Sequence, residues 1–424
     1  MKSDGNVLLC FALIQAATAR RTFTLNNGQE LQIINPGEED DTFPMLHYAE
    51  IRIDNTIYKG DIVFGDVTEH PEIYSSAYDY AVLQVVEREA GHIYLHGNER
   101  VPQLVLPVSE QLARRFESLR AGAMSYECGS WIGDMAPARR IQLLDRLLFE
   151  RLRRKCDDVM NIFECNAGDW PQTLYVMMLR ALGGNRNRKP YMELAARATY
   201  HMVLRERNST EMIEALLLGT AGLLEGCYFD DYIRQLNDDF RYLSRKYDIT
   251  PMRAGEWISG GVRAQNRPVM RLVQIAAVLS GRESLFDALM NCHDCKEVAQ
   301  LLDVEVSDYW ASHSIPDGSG DWCPKRIGPE KSDLLAINAV VPVMFSYGEC
   351  SGKENIKTNA IELLSTIPAE NNSIIRSWSG AGVPVKSAFD SQALIQLRNE
   401  YCSSGRCISC SVGKSIIKIS NNAF

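Results

Sequence analysis

Three cysteines lie within nine residues near the end of the chain, in the stretch EYCSSGRCISCSVG (400–413). Cys402, Cys407 and Cys410 follow a C-x4-C-x2-C spacing, which lets three thiolates face one point. Tetrahedral zinc and iron–sulfur clusters both prefer four soft ligands. The spacing therefore predicts a zinc or iron–sulfur site that takes a fourth ligand from elsewhere, the alternative being a reduced, exposed tail.

The other cysteines carry weaker signals. CHDC (292–295) has the C-x2-C spacing that can hold zinc, but no second pair lies near it in sequence, so a structural role is favoured. Cys156 falls on an apolar helical stripe, where a cysteine serves as a small buried hydrophobe. Twelve cysteines in 424 residues do not resemble a secreted disulfide scaffold. We therefore expect reduced thiols and a cytoplasmic protein.

Composition limits the class and the partners. Hydrophobic residues at 46% and charged residues at 23% are typical of a globular protein long enough for two or three domains. The net charge of −9 means that nucleic-acid binding would require a local basic surface. No apolar run approaches the roughly 20 residues that span a bilayer, so no membrane partner is expected. The stretch VLLCFALIQAATA (7–19) is interpreted as a first helix packed on a sheet rather than a cleaved signal segment.

The hydrophobic pattern changes along the chain. Residues 22–106 read as β-rich, with two hairpin signals and a nearly continuous apolar strand at AVLQVV (81–86). After Ser109 apolar residues recur every three or four positions, which predicts helices. The sequence thus predicts an α+β protein with a mixed N-terminal sheet followed by a long all-helical region. The predicted divisions are an α/β domain over 1–108, a helical domain over 109–400 and a cysteine-rich tail over 401–424.

Long segments of the chain resemble a family of unknown function, domain-of-unknown-function family 2851. They are GQELQIINPG (28–37), AYDYAVLQVV (77–86), VPQLVLPV (101–108), IEALLLGTAGLLEG (213–226), SDYWASH (307–313), INAVVPVMFSYG (337–348) and the C-terminal stretch 372–413. The resemblance implies no established activity, but it supplies a fourth cysteine. The family has a Cys before its long helix, and Cys128 in SYECGSWIG matches that residue. The resemblance implies that Cys128 joins the C-terminal cysteines in one site and staples the tail back to it.

The N-terminal part of the family looks like nucleases of the PD-(D/E)XK type, which have a restriction-endonuclease-like fold. In such nucleases two carboxylates on adjacent strands hold Mg²⁺, and a nearby basic side chain helps to activate water. This chain departs from the pattern. Met45 replaces the Asp, Val63 replaces the Glu, Gly65 replaces the His of the same strand, and Gln84 stands where another His usually occurs. The resemblance therefore implies a degenerate nuclease-like domain without its catalytic residues.

Two sets of charged residues remain candidates for function. Asp41 and Asp61 lie near the altered positions and could form a migrated acidic site, although charges on hairpins are more often simply solvated. Basic candidates for nucleic-acid contacts occur in the run Arg151–Lys155 and after a predicted helix end, at Arg186, Arg188 and Lys189. Two more, Arg263 and Arg271, lie at a predicted helix start, where backbone N–H groups can receive phosphate.

Three functional hypotheses follow. The first is an inactive nuclease-like scaffold that binds nucleic acid or a protein partner. The second is a purely structural or interaction protein with a metal-stapled helical fold. The third, weaker hypothesis is an active nuclease whose acidic site has migrated.

Overall fold

The structure is a computed structural model that describes residues 4–18, 22–39, 45–66, 78–95, 99–108, 110–121, 126–226, 228–261, 263–320, 322–323, 325–407 and 410–419. The chain divides into two compact units. The sheet unit comprises Met1–Ala136, Ser377–Val383 and Leu397–Phe424, and the helical unit comprises Pro137–Arg376 and Pro384–Gln396. This division places the residues just after 108, together with the tail, in the same unit as the sheet.

One mixed sheet forms the centre of the sheet unit. Its strands are β1 (Thr22–Thr24), β2 (Glu30–Asn35), β3 (Glu38–Glu39), β4 (Met45–Ile53), β5 (Thr56–Phe64), β6 (Ala81–Val86) and β7 (Gln103–Val105). They are ordered β1-β2-β4-β5-β6-β7, with β3 paired to β4. The pairs β1–β2, β2–β4 and β4–β5 are antiparallel, whereas β5–β6 and β6–β7 are parallel. Both hairpins and the buried AVLQVV strand are confirmed.

The helices complete both units. In chain order they are α1 (Asp4–Thr18), α2 (Glu110–Ala121), α3 (Tyr126–Gly133), α4 (Pro137–Cys165), α5 (Trp170–Gly183), α6 (Arg188–Arg197), α7 (Tyr200–Glu206), α8 (Thr210–Thr220), α9 (Asp231–Tyr247), α10 (Pro268–Leu279), α11 (Leu285–Met290), α12 (Cys295–Leu302), α13 (Asp308–Ser312), α14 (Pro329–Leu335), α15 (Val341–Ser351), α16 (Glu354–Thr366), α17 (Ser373–Gly380), α18 (Ala388–Gln396) and α19 (Ser411–Ile419). The predicted α+β class, with a mixed sheet followed by a helical region, is confirmed.

The two faces of the sheet bury different clusters. Successive side chains of a strand point to opposite faces, so Ile62 and Val63 on β5 belong to different layers. On one face α1 places Leu9 and Leu13 against a core that includes Ile62. This confirms the prediction of a first helix packed on the sheet, which spans Asp4–Thr18. On the other face a smaller apolar cluster contains Met45 and Val63.

The helical unit is organised around α4, a long amphipathic helix. Its predicted apolar stripe is buried at Leu144, Leu148, Leu152 and Val159. The helices α18, α15 and α5 pack against it. A short two-stranded sheet, β8 (His313–Ile315) with β9 (Gly318–Ser319), interrupts the region that the sequence predicts to be all helical.

The helical stretch Pro329–Ser351 joins α14, a π-helix at Ala336–Val340 and α15. Of the described chain, this stretch alone is long and apolar enough to cross a membrane by length and composition. Its most apolar window is 67% buried inside the protein, as core helices of globular proteins are. The sequence did not predict an apolar stretch of this length, because charged and polar residues interrupt it.

Candidate functional site

The four cysteines implicated by spacing and resemblance lie in the sheet unit. Cys128 is on α3, Cys402 ends the π-helix Leu397–Cys402, Cys407 follows in the turn, and the buried Cys410 directly precedes α19. All four thiols are free of disulfide bonds. Burial, followed by the electrostatic effect of Cys410, Cys128 and Cys407, raises the pKa of the Cys402 thiol to about 12. The other three thiols therefore lie within electrostatic reach of Cys402.

Local backbone geometry brings these cysteines together. The Cys402 carbonyl accepts a hydrogen bond from the N–H of Gly405 (3.2 Å), which adopts a left-handed φ of 63°. Such a turn favours glycine, since other residues are strained there. Gly413 of α19 approaches the turn so closely that a Cβ atom would lie 2.1 Å from the Cys407 carbonyl oxygen. The helix α19 also packs on α3, which carries Cys128.

The gathered thiols are not arranged as a finished coordination sphere. Among the described residues, no group of three or more His, Cys, Asp or Glu side chains could hold a metal ion as placed. The electrostatic coupling at Cys402 reaches over longer distances than metal–sulfur bonds of about 2.3 Å, so the two observations are compatible. Thiols are soft donors, and four of them on neighbouring segments suit zinc or an iron–sulfur cluster.

The CHDC pair behaves differently. The Cys292 thiol donates to the carbonyl of Ala288 at 3.4 Å, and the Cys295 thiol donates to the carbonyl of Thr366 at 3.3 Å. Burial raises the pKa of Cys292 to about 11. The two thiols thus serve separate backbone acceptors, in keeping with the structural role favoured by the sequence.

The positions that the resemblance assigns to nuclease chemistry form one row across the sheet. Met45 on β4 lies directly opposite Val63 on β5, which is in register with Gln84 on β6, and Gln84 is in register with Gln103 on β7. Met45 is 4% exposed, Val63 is 1% exposed and the two glutamines are fully buried. The row therefore offers apolar side chains where two carboxylates would be needed.

Amide groups fill the other half of the row. The side-chain N–H of Gln103 donates to the side-chain oxygen of Gln84 at 3.1 Å, and that of Gln84 donates to the carbonyls of Gly91 and Gly65 at 2.9 and 3.2 Å. Gly65 itself has a φ of 92°, a conformation that strains a histidine or any other side chain. The row is thus closed by buried amides whose N–H groups are hydrogen-bonded, whereas the side-chain oxygen of Gln103 has no hydrogen-bond partner among the described residues.

Of the two acidic candidates, the structure describes only Asp61. Asp41 lies outside the described residues. Asp61 is mostly buried, accepts a hydrogen bond from the N–H of Tyr48 at 3.3 Å and lies 3.1 Å from Nδ1 of His47. Tyr48 has a φ of 59° within an irregularity of the β4–β5 pairing. Asp61 therefore holds a bulge in the hairpin, which occupies both of its carboxylate oxygens.

The basic candidates separate into exposed and buried residues. Arg186, Arg188, Lys189 and Arg263 are exposed. Arg271 is 5% exposed, and its guanidinium donates to the side chains of Gln274 and Asn266. Every residue of α10 is buried, so Arg271 serves internal packing and is not the surface contact for nucleic acid that the sequence predicts.

Two segments that carry exposed basic residues are joined. The side chain of Asn187 donates to the carbonyl of Ile258 (3.0 Å) and accepts from its N–H (2.8 Å). Arg186 donates to the carbonyl of Gly260 at 3.3 Å. These contacts place the segment 186–189 beside the segment that leads to Arg263, although 77 residues separate Arg186 from Arg263 in sequence.

One buried carboxyl group is not among the candidates that the sequence predicts. Glu214 on α8 is fully buried and accepts hydrogen bonds from Trp310 (2.6 Å), Ser307 (2.8 Å) and Tyr232 (2.8 Å). Burial, only partly offset by these donors, raises the pKa of Glu214 to about 7. A lone acid within the apolar run IEALLLG was the available signal, because unpaired acids are rarely buried.

Fold and site together define the class: an α+β protein with a mixed sheet, a helical region and four cysteines in the sheet unit. The chain belongs to the protein family of unknown function DUF2851, whose profile matches residues 14–373. The matched range includes Cys128 and ends before Cys402. Comparison with curated proteins and with solved structures found no match.

Proposed function

We propose that the chain is a nuclease-like scaffold that has lost catalysis and binds nucleic acid through its helical unit. The observation that carries this proposal is the Met45–Val63 pair. The two positions stand opposite each other on adjacent strands, as two metal-binding carboxylates would have to, yet both side chains are apolar and buried. Mg²⁺ requires oxygen ligands in near-octahedral geometry, and neither side chain has an oxygen.

The basic segments support the binding half of the proposal. Four exposed cations, Arg186, Arg188, Lys189 and Arg263, lie on segments that are hydrogen-bonded to each other. On a chain of net charge −9, such a local surface is the place where phosphate contacts would be made. Contacts of this kind position a nucleic acid without reading its bases, so we expect little sequence preference.

Salt-dependent binding tests this half directly. We expect the protein to bind a fluorescent single- or double-stranded oligonucleotide at low salt and to lose affinity as salt rises, because phosphate contacts release counterions. The triple variant Arg186→Gln, Lys189→Gln, Arg263→Gln should weaken binding and flatten the salt slope. A charge-matched control changes three exposed arginines elsewhere, Arg205, Arg241 and Arg245, to Gln. Equal effects of the two triple variants would show that binding does not depend on this basic surface. No binding at low salt would rule out nucleic-acid binding and favour a protein partner instead.

A cleavage assay tests the catalytic half. Purified protein with Mg²⁺ or Mn²⁺ should cut neither single- nor double-stranded DNA. Cutting that is abolished by Asp61→Asn or Asp41→Asn would instead establish a migrated acidic site. Asp61 already holds Tyr48 and His47, which argues against such a site.

We further propose that Cys128, Cys402, Cys407 and Cys410 bind zinc or an iron–sulfur cluster. The support is the thiol donor set and its gathering around Cys402. A bound metal would keep the thiolates deprotonated and would tie the tail to α3, which stabilises the folded sheet unit. This role is structural, and it is also compatible with a purely structural or interaction protein.

Metal content distinguishes the two cofactors. Anaerobically purified protein should contain about one zinc per chain and be colourless, or contain iron and sulfide with visible absorption. Changing any of the four cysteines to Ser should reduce the metal content, whereas Cys165→Ser, at an exposed cysteine of α4, should not. Protein that carries no metal after anaerobic purification and reconstitution would contradict the proposal.

A further inference from the structure

A cavity of about 260 Å³ opens within the helical unit between α4, α5, α6 and the start of the long helix Pro329–Ser351. Four charged side chains line it: Lys155 and Asp158 from α4, Arg180 from α5 and Arg188 from α6. The sequence pattern treats Lys155 as part of the solvated run Arg151–Lys155. In the structure its ammonium group points inward.

Lys155 is held by the π-helix on the opposite wall. Its Nζ donates to the carbonyl of Ile337 at 3.0 Å and lies 3.4 Å from the side-chain oxygen of Asn338. Both acceptors belong to the π-helix Ala336–Val340. Such turns are rare and occur frequently at functional sites. Neither acceptor is charged, so the ammonium charge has no carboxylate among its hydrogen-bond partners.

The arginines add further positive charge. Arg180, which is largely buried, donates to Asp158 at 2.5 Å, and Arg188 lies 4.0 Å from the same carboxylate. With Lys155 protonated, three cations face one anion, and the wall carries a net charge of +2. A cavity that concentrates one sign of charge between low-dielectric walls raises the local concentration of counter-ions.

We propose that this cavity is a binding site for a small dianionic ligand, of the phosphate-monoester class, held by Lys155 and Arg188 with the positive charge of Arg180 beside them. Guanidinium groups match phosphate oxygens in a fork, and an ammonium group adds a point charge. The volume suits a phosphate group with a few further atoms and is too small for most drug-sized ligands, whose pockets begin at roughly 300 Å³. This inference is independent of the proposed nucleic-acid surface, although Arg188 borders both.

The charge state of Lys155 supports the assignment. Burial, followed by the nearby Arg151, lowers the pKa of Lys155 to about 7. The charged groups that face it are Arg151, Arg154 and Asp158 on α4, Arg180 on α5, Arg188 on α6 and Glu370. Guanidinium and carboxyl groups ordinarily titrate outside pH 6 to 8. Lys155 is therefore the group whose charge changes in that range, and a bound dianion would favour its protonated form.

Sulfate is the sharper probe for this site, because it stays dianionic across the range whereas phosphate changes its own charge. Calorimetric titration should show sulfate bound at pH 6 and the affinity about fivefold to tenfold weaker at pH 8, as Lys155 loses its proton. Glycerol 3-phosphate should bind more tightly than inorganic phosphate if the ligand is a phosphate ester, and no more tightly if it is the free ion.

Matched variants complete the experiment. Lys155→Met should abolish sulfate binding and its pH dependence, whereas Lys386→Met, at an exposed lysine of the helical unit that does not line the cavity, should leave both unchanged. Thermal melting checks that Lys155→Met is folded, and Arg188→Gln, at a half-exposed position, provides a second variant that should weaken binding. Oligonucleotide binding should survive Lys155→Met, which separates this site from the nucleic-acid surface. Absence of sulfate and phosphate ester binding at pH 6, or binding that is equal in Lys155→Met, overturns the proposal.

Discussion

Met45 on β4 and Val63 on β5 face each other directly across an antiparallel pair, and both side chains are buried in the same apolar cluster. Cross-strand neighbours of this kind have Cβ atoms about 5 Å apart, close enough for two carboxylates to share one cation. Here the pair forms part of a small core instead. The two positions are therefore occupied by apolar packing and offer no oxygen ligand to a cation.

An acidic side chain at position 63 should destabilise the sheet unit. Val63→Glu places a carboxyl group in the apolar cluster, and we expect a loss of roughly 2–4 kcal/mol in the free energy of unfolding. Ile57→Glu, on the same strand at a position that is 50% exposed, is the matched control and should have little effect. Denaturant unfolding followed by circular dichroism measures both. Equal stability of the two variants would show that the cluster readily admits water.

Asp61 should matter for folding rather than for catalysis. Asp61→Ala removes the acceptor for the N–H of Tyr48 and the partner of His47, so the bulge loses its anchor. We expect a loss of about 1–2 kcal/mol in the free energy of unfolding. Asp61→Asn keeps an acceptor oxygen and should retain most of the stability. If both variants are as stable as the parent chain, Asp61 does not anchor the bulge.

Gly413→Ala tests the packing of the cysteine turn. The added Cβ would meet the Cys407 carbonyl oxygen at 2.1 Å, which forces backbone movement, and overpacking of this kind costs roughly 1–3 kcal/mol. Gly380→Ala in α17 is the control, since nothing lies within 4 Å of its added Cβ. Thermal melting and metal content of the two variants should differ. A Gly413→Ala protein with unaltered melting and metal content would show that α19 does not fix the turn.

Glu214 should make stability depend on pH. Because its pKa in the folded protein is raised to about 7, above that of an unfolded glutamate near 4.3, the folded state retains the proton longer. The contribution of protonated Glu214 to the free energy of unfolding is therefore complete below about pH 4.3. It falls as the pH rises to about 7 and does not change further above that pH. The total loss of stability corresponds to roughly 4 kcal/mol for a shift of this size.

Glu214→Gln isolates that contribution. The amide oxygen can still accept from Trp310, while the charge is absent, so the variant should gain stability relative to the parent chain as pH rises from 5 to 8. Denaturant unfolding at several pH values measures the difference. Glu214→Leu, which leaves the donors of Trp310, Ser307 and Tyr232 without their acceptor, should be destabilised at every pH. A difference between parent and Glu214→Gln that does not change with pH would contradict the raised pKa.

Local patterns in the sequence predicted the main strands and helices, but not the short β8–β9 sheet. Alternation of apolar residues predicted the β4–β5 hairpin, and the recurrence of Leu144, Leu148 and Leu152 predicted α4. The reason is that strand and helix periodicities are properties of neighbouring residues. The short spacing of Cys402, Cys407 and Cys410 likewise marked a thiol-rich turn, whereas Cys128 came from the family resemblance, since no local pattern links residues so distant.

Only the tertiary structure decided which charged residues face water. Lys155 and Arg271 resemble solvated cations in sequence, yet one is hydrogen-bonded to a π-helix 182 residues away and the other is buried in α10. Glu214 similarly meets Trp310 across 96 residues. Burial of a side chain depends on which element packs over it, and that element is chosen by the fold as a whole. The cavity at Lys155 exists because four separate helical segments meet there, a relationship that no window of the sequence contains.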